Sequence, residues 1–226
     1  MSQILSMLQL QQQLNDNTNG ISWEAGVTKN GKPIDWNRCI YLECSELVES
    51  YPWKHWKNID AKADIDNIKI EVVDIWHFLL SEILRVNSIT QKLTPEELSV
   101  RICYANNFGL LQSNTKEIDE DYFKQIKCIE DFIKSIFRNE DMTSIVEKYF
   151  KVVIQSGLNL ETLYKLYIGK NILNRFRQDN GYSDGSYIKM WNGVEDNVVM
   201  KEILDNNPVI SPEELYDALD IAYKAI

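Results

Sequence analysis

The chain has 226 residues, 44% of them hydrophobic and 26% charged, enough to bury a sizeable core in one domain or at most two. Its 9 Gly and 5 Pro leave little for turn-rich β architecture. The formal net charge of −10 argues against a nucleic-acid polymer or an anionic membrane as main partner, because both want a basic surface.

Helical periodicity dominates the pattern. Residues 2–16 read as one helix with Ile4, Leu5, Leu8 and Leu14 as apolar points, followed by a polar loop, Asn17-Thr18-Asn19-Gly20. Residues 26–35 carry a turn signal at Asn30-Gly31. A second helix is expected from Trp36 to Ser50, then the aromatic, basic segment Tyr51-Pro52-Trp53-Lys54-His55-Trp56-Lys57. A third helix covers about 64–87. Thr94-Pro95-Glu96-Glu97 has the form of a capping box with Pro at the first helical position, and opens a fourth. Amphipathic stretches at 116–138 and 142–156 follow, then Gly157 as a stop and a helix at 159–178. After a loop over 180–187, Ser211-Pro212-Glu213-Glu214 repeats the capping pattern and starts a last helix to Ile226. No period-2 strand pattern emerges. The expected fold is all-α, a single domain over residues 1–226, with a helical bundle built around a four-helix core.

The four cysteines, Cys39, Cys44, Cys103 and Cys128, show no zinc or CxxC spacing and read as reduced core thiols. The N-terminus has no basic segment followed by an apolar run. No stretch approaches the roughly 20 apolar residues of a membrane span. The expectation is a soluble, cytoplasmic protein without a membrane partner.

Chemistry concentrates in two acidic pairs, Glu43-Cys44-Ser45-Glu46 and Glu71-Val72-Val73-Asp74. At i, i+3 spacing each pair projects from one side of its helix. Glu43 falls on the apolar stripe with Trp36, Cys39, Ile40 and Leu47, and Glu46 at its edge. Glu71 is flanked by Ile68, Ile75 and Phe78, Asp74 by Ile70 and Phe78. Four carboxylates aimed at a shared interior are too costly to leave uncompensated. Cations would neutralise them, and an all-oxygen ligand set favours Mg²⁺, two or more ions, or Mn²⁺. A di-iron bundle would want two Glu-x-x-His motifs, and with only His55 and His77 the chain cannot supply both halves. The four-helix core is thus expected to carry the metal site.

Lys170, Asn174 and Arg177 share one stripe of the helix at 159–178, with Tyr182, Lys189, Asn192 and Asp196 downstream. Beside a metal cluster, Arg and Lys on one stripe suit a polyphosphate. Trp53 and Trp56 offer an aromatic wall for a base. Gln11 and Asn15, at i, i+4, offer amide edges.

At this point the chain resembles a known family. The matching stretches are Leu10-Gln11-Gln12-Gln13-Leu14-Asn15, Tyr41-Leu42-Glu43-Cys44-Ser45-Glu46-Leu47, Pro52-Trp53-Lys54-His55-Trp56-Lys57 and Glu71-Val72-Val73-Asp74-Ile75-Trp76-His77-Phe78. Further ones are Tyr167-Ile168-Gly169-Lys170-Asn171, Phe176-Arg177-Gln178-Asp179-Asn180-Gly181-Tyr182, Asp184-Gly185-Ser186-Tyr187 and Glu195-Asp196-Asn197. Over nearly its whole length the chain is similar to the dimeric all-α dUTPases of the Campylobacter and kinetoplastid type, within the MazG-like all-α NTP pyrophosphohydrolases. The resemblance implies hydrolysis of dUTP to dUMP and pyrophosphate, and of dUDP to dUMP and phosphate, by a homodimer. It implies Glu43, Glu46, Glu71 and Asp74 as magnesium ligands. It implies that Lys170, Asn174, Arg177, Tyr182 and Lys189 hold the phosphates, and that Gln11, Asn15, Trp56, His77 and Asn192 face the nucleoside. His55 stands where kinetoplastid members often carry tryptophan, and it is assigned no role. The mechanism expected is attack on the α-phosphorus by water held between a metal and a glutamate, with Glu46 as the preferred base and Glu43 as the alternative. A broader dNTP pyrophosphohydrolase, acting on dCTP as well as dUTP, is the competing reading.

Overall fold

The computed structural model describes residues 2–58, 60–118 and 121–226. Among them lie ten α-helices and one two-stranded hairpin, so the all-α expectation holds. The chain divides into two compact units, Met1–Tyr164 and Lys165–Ile226.

The first unit holds α1 (Ser2–Asn19), α2 (Trp36–Glu49), α3 (Ile65–Ile89), α4 (Pro95–Cys103), α5 (Phe108–Ser113), α6 (Tyr122–Phe137) and α7 (Met142–Gln155). Helix α3 is its centre. Ile68, Ile70, Val72, Val73, Ile75, Trp76, Leu79, Leu80 and Ile83 are all buried, and a helix buried on so many sides needs several neighbours. It finds them in α2, α1 and α7. Trp76 stacks on Tyr149 of α7, ring centroids 4.8 Å apart, and its indole N–H reaches Met7 Sδ of α1 at 3.3 Å. Tyr149 in turn donates its hydroxyl to the Val72 carbonyl at 2.9 Å.

Helix α1 runs through Asn17, Thr18 and Asn19, which the sequence suggests as loop; Gly20, at φ +94°, is where it stops. Of the stretch 116–138, residues 119–120 lie outside the described residues, 116–118 and Asp121 are not helical, and α6 starts at Tyr122. Helix α5 gave no separate periodic signal. Both capping boxes form as read, Thr94 with Glu97 and Ser211 with Glu214.

Helix α8 (Leu160–Asp179) contains the boundary between the units. The second unit continues with the hairpin β1 (Met190–Trp191) and β2 (Val194–Glu195), α9 (Asp196–Asn206) and α10 (Pro212–Tyr223). Phe176 anchors its core, packing edge-on against Trp191, Tyr216 and Tyr223. Gly169 lets α9 approach α8: a Cβ there would meet Leu204 Cδ1 at 2.5 Å. The hairpin and α9 went unread in the sequence. Asn192 and Gly193, at φ +51° and +86°, form the two-residue turn between the strands, the backbone demand that Asn-Gly meets well.

Candidate active site

Helices α2 and α3, the most closely associated pair in the first unit, bring the acidic residues together. Carboxylate oxygens of Glu43, Glu46 and Glu71 all lie within 4.8 Å of one another. Glu71 is buried, Glu43 half-buried and Glu46 exposed, so the group grades from the apolar seam of the helix pair outward, as the helical wheel suggests. Asp74, one turn further along α3 and half-buried, is not among the three whose oxygens meet. Three hard oxygen donors at this spacing suit a divalent cation and give thiolate-preferring ions no sulfur. The nearest thiol, Cys44, is buried on the same helix, and burial first, then the Glu43 charge, pushes it well above the usual thiol range. All four cysteines are free.

A second polar group joins α1 to α3. His77 Nδ1 lies 2.7 Å from Gln11 Oε1. Gln11 Nε2 and Asn15 Nδ2 each donate to Ser81 Oγ at 3.0 Å, and Ser81 Oγ donates to the His77 carbonyl at 2.9 Å. All four residues are buried. Sequence reasoning found Gln11, Asn15 and His77 but missed Ser81. Its position, i+4 from His77, was the available signal.

The aromatic segment after α2 places Trp53 and Trp56 edge to face at 5.7 Å, with the His55 ring against Trp56 at 4.9 Å. Trp56 is 61% exposed, so its indole is available as a stacking surface. Lys54 is ion-paired to Glu49.

In the second unit, Arg177 is the hub. Its Nε and Nη2 grip Asp196 at 2.8 and 2.7 Å, and Asp196 has no exposed surface. Nη1 donates to Asn174 Oδ1 at 3.2 Å and Nη2 to Asn197 Oδ1 at 3.2 Å. Lys170 Nζ donates to the same Asn197 oxygen at 2.6 Å. Tyr187 adds a hydroxyl to Asp196 at 2.8 Å. Burial alone would raise the Asp196 carboxyl, but the Arg177 pairing and the Tyr187 hydrogen bond hold it below the ordinary aspartate value. The Arg177 guanidinium sits over the Tyr182 ring, 5.8 Å from its centroid. Lys170, Asn174 and Arg177 thus share one side of α8, and Tyr182, beyond the helix, joins them through its ring. Lys189 and Asn192 are exposed on the hairpin approach and turn, where the Lys189 carbonyl accepts the Asp196 amide at 3.0 Å. Sequence reasoning missed that Asp196, Asn197 and Tyr187 are the partners that set Arg177 and Lys170.

Fold and carboxylate cluster together define an all-α bundle equipped to hold a divalent cation, a class that fits hydrolysis of charged phosphate compounds. The comparison with known families is specific: the model of the dUTPase family matches residues 3–182. That span is well over half of the chain, and the chain belongs to this family, in its all-α type, with the activity of a dUTP diphosphatase. No curated protein matches the sequence. No helix among the described residues is long and apolar enough to cross a membrane.

Proposed function

We propose that the chain hydrolyses dUTP to dUMP and pyrophosphate, and dUDP to dUMP and phosphate, with magnesium as the resident cation. The supporting observation is the meeting of the Glu43, Glu46 and Glu71 oxygens within 4.8 Å. These three, with Asp74, are the proposed holders of two or more Mg²⁺ ions, Mn²⁺ being an acceptable substitute. When bound, the ions supply Lewis acidity that lowers the pKa of water and shields phosphate charge.

The chain's own residues do the rest. Glu46, the most exposed of the three, takes the proton of the attacking water, with Glu43 as the second candidate. Lys170, Asn174, Arg177, Tyr182 and Lys189 hold the phosphates and the charge developing on pyrophosphate. Gln11, Asn15, His77 and Asn192 face the nucleoside, and Trp56 stacks on the base. We further infer a cytoplasmic homodimer of MazG-like kinship, with residues 1–226 acting as one functional domain.

Pyrophosphate release measured with dUTP, dCTP, TTP and UTP, with and without Mg²⁺, tests this reading. The expected outcome is Mg²⁺-dependent turnover with dUTP far ahead in kcat/KM. Equal kcat/KM for all four would replace it with the broader dNTP pyrophosphohydrolase, and undiminished turnover in chelator would remove the metal.

A further inference from the structure

Ser81 has no exposed surface and touches three of the polar groups that line the α1–α3 seam. A hydroxyl carries one proton and two lone pairs. The Ser81 proton is committed to the His77 carbonyl at 2.9 Å, so what remains for α1 is acceptor capacity alone. Both neighbouring amides must therefore turn their NH₂ groups toward Ser81, and both do, at 3.0 Å. The consequences propagate. Gln11 is left with its oxygen toward His77 Nδ1, 2.7 Å away, which makes Nδ1 the donor of that bond. Asn15 is left with Oδ1 directed away from Ser81, receiving a long 3.4 Å contact from Gln11 Nε2 and keeping lone-pair capacity. One hydroxyl thus fixes which end of each amide is donor and which is acceptor.

That polarity is what distinguishes the two pyrimidines of interest. Uracil carries a hydrogen on N3 between two carbonyl oxygens. Cytosine has a lone pair on N3 beside an amino group. An amide held oxygen-forward accepts the uracil N3–H and opposes the cytosine lone pair; a flipped amide does the reverse. We propose that Ser81 is a positioning residue that locks the donor–acceptor polarity of Gln11 and Asn15 and thereby selects uracil over cytosine. The proposal rests on the reading that these two amides face the base. Ser81 itself need not touch substrate. Flipping Asn15 would set its oxygen against the Ser81 lone pairs, so the lock holds without any other part of the site.

The test is Ser81→Ala in the full chain, read in two ways: kcat/KM for dUTP and dCTP, and calorimetric affinity for dUMP and dCMP. The dUTP-to-dCTP ratio is expected to fall by about tenfold or more, through KM rather than kcat, with the dUMP-to-dCMP affinity ratio falling in parallel. Ser81→Thr, which keeps the hydroxyl, should keep the wild-type ratio. Should Ser81→Ala fail to melt cooperatively, Ser81→Cys, similar in size but a weak acceptor, carries the same comparison. A folded Ser81→Ala or Ser81→Cys protein with the wild-type ratio overturns the proposal. Asn15→Ala separates the two layers. If it leaves KM for dUTP unchanged, the amides do not read the base and both ideas fall. If it raises KM at least about tenfold while Ser81→Ala keeps its ratio, the polarity lock alone is wrong.

Discussion

If a cation is held where the three carboxylate oxygens lie no more than 4.8 Å apart, the stability of the chain should report it. At that separation two unit negative charges repel by about 3.5 kcal/mol at an effective dielectric of about 20, and by about 0.9 kcal/mol in water. Glu46 is exposed and nearer the second limit, while Glu71 is buried and nearer the first. Glu71→Gln keeps the shape and removes the charge that is least solvated. The metal-free variant should therefore melt at or above the wild-type temperature. Magnesium should act in the opposite sense. At 100-fold over its dissociation constant it stabilises the wild type by about 2.7 kcal/mol. For a 226-residue chain that is roughly a 5–10 °C rise in Tm, and the variant should show less than half of it. Thermal melts in chelator and across a Mg²⁺ titration measure both quantities. A Glu71→Gln protein that is less stable without metal, yet gains as much from magnesium as the wild type, would refute the view that these carboxylates are held together by a cation.

Three further outcomes follow from the same geometry. Glu46→Gln should lower kcat at least about 100-fold with little change in Tm, and near-wild-type turnover removes Glu46 from the chemistry. Asp196→Asn should cost about 3–5 kcal/mol at pH 7, read from urea unfolding, because it removes the carboxylate charge that the buried Arg177 guanidinium pairs with. The Asp196 carboxyl is held below its ordinary value of 3.8, so its contribution is complete above pH 3.8 and is lost as pH falls through the folded value. The wild type should therefore lose more stability than Asp196→Asn between pH 5 and roughly pH 2, and parallel acid limbs would contradict this. Trp56→Ala removes an exposed ring, so Tm should hold while KM for dUTP rises roughly tenfold; an unchanged KM discards base stacking.

What the sequence disclosed was what a few neighbouring residues decide among themselves. The capping boxes at Thr94 and Ser211 are closed within three residues and form as written. Glu43 and Glu71 lie on apolar stripes, and stripes of two adjacent helices meet, so their convergence was legible too. Local signals also misled: Asn17 and Asn19 look like a loop, but nothing stops α1 before a glycine supplies the positive φ. The hairpin has two residues per strand, too few to display an alternation. Ser81 and Gln11 are 70 residues apart, and Arg177 and Asp196 are 19 apart on different helices. Periodicity orders residues around one helix axis and says nothing about which face of another helix will come to meet them.

On the proposed reading, the Arg177 cluster would be a phosphate-binding group set in place by its protein partners. Lys170 and Arg177 carry like charges, yet both donate to one oxygen, Asn197 Oδ1, at 2.6 and 3.2 Å. Two buried cations so placed repel each other, and burial weakens the solvent screening that would soften this. Asp196 offsets part of that repulsion, gripping Arg177 on two nitrogens and taking a third bond from Tyr187. Within this trio, one carboxylate against two cations leaves a net positive charge, which on the proposed reading a polyphosphate would neutralise. Asp196 and Asn197 hold Arg177 and Lys170 directly, and their adjacency at the start of α9 lets a single helix terminus set both cations at once.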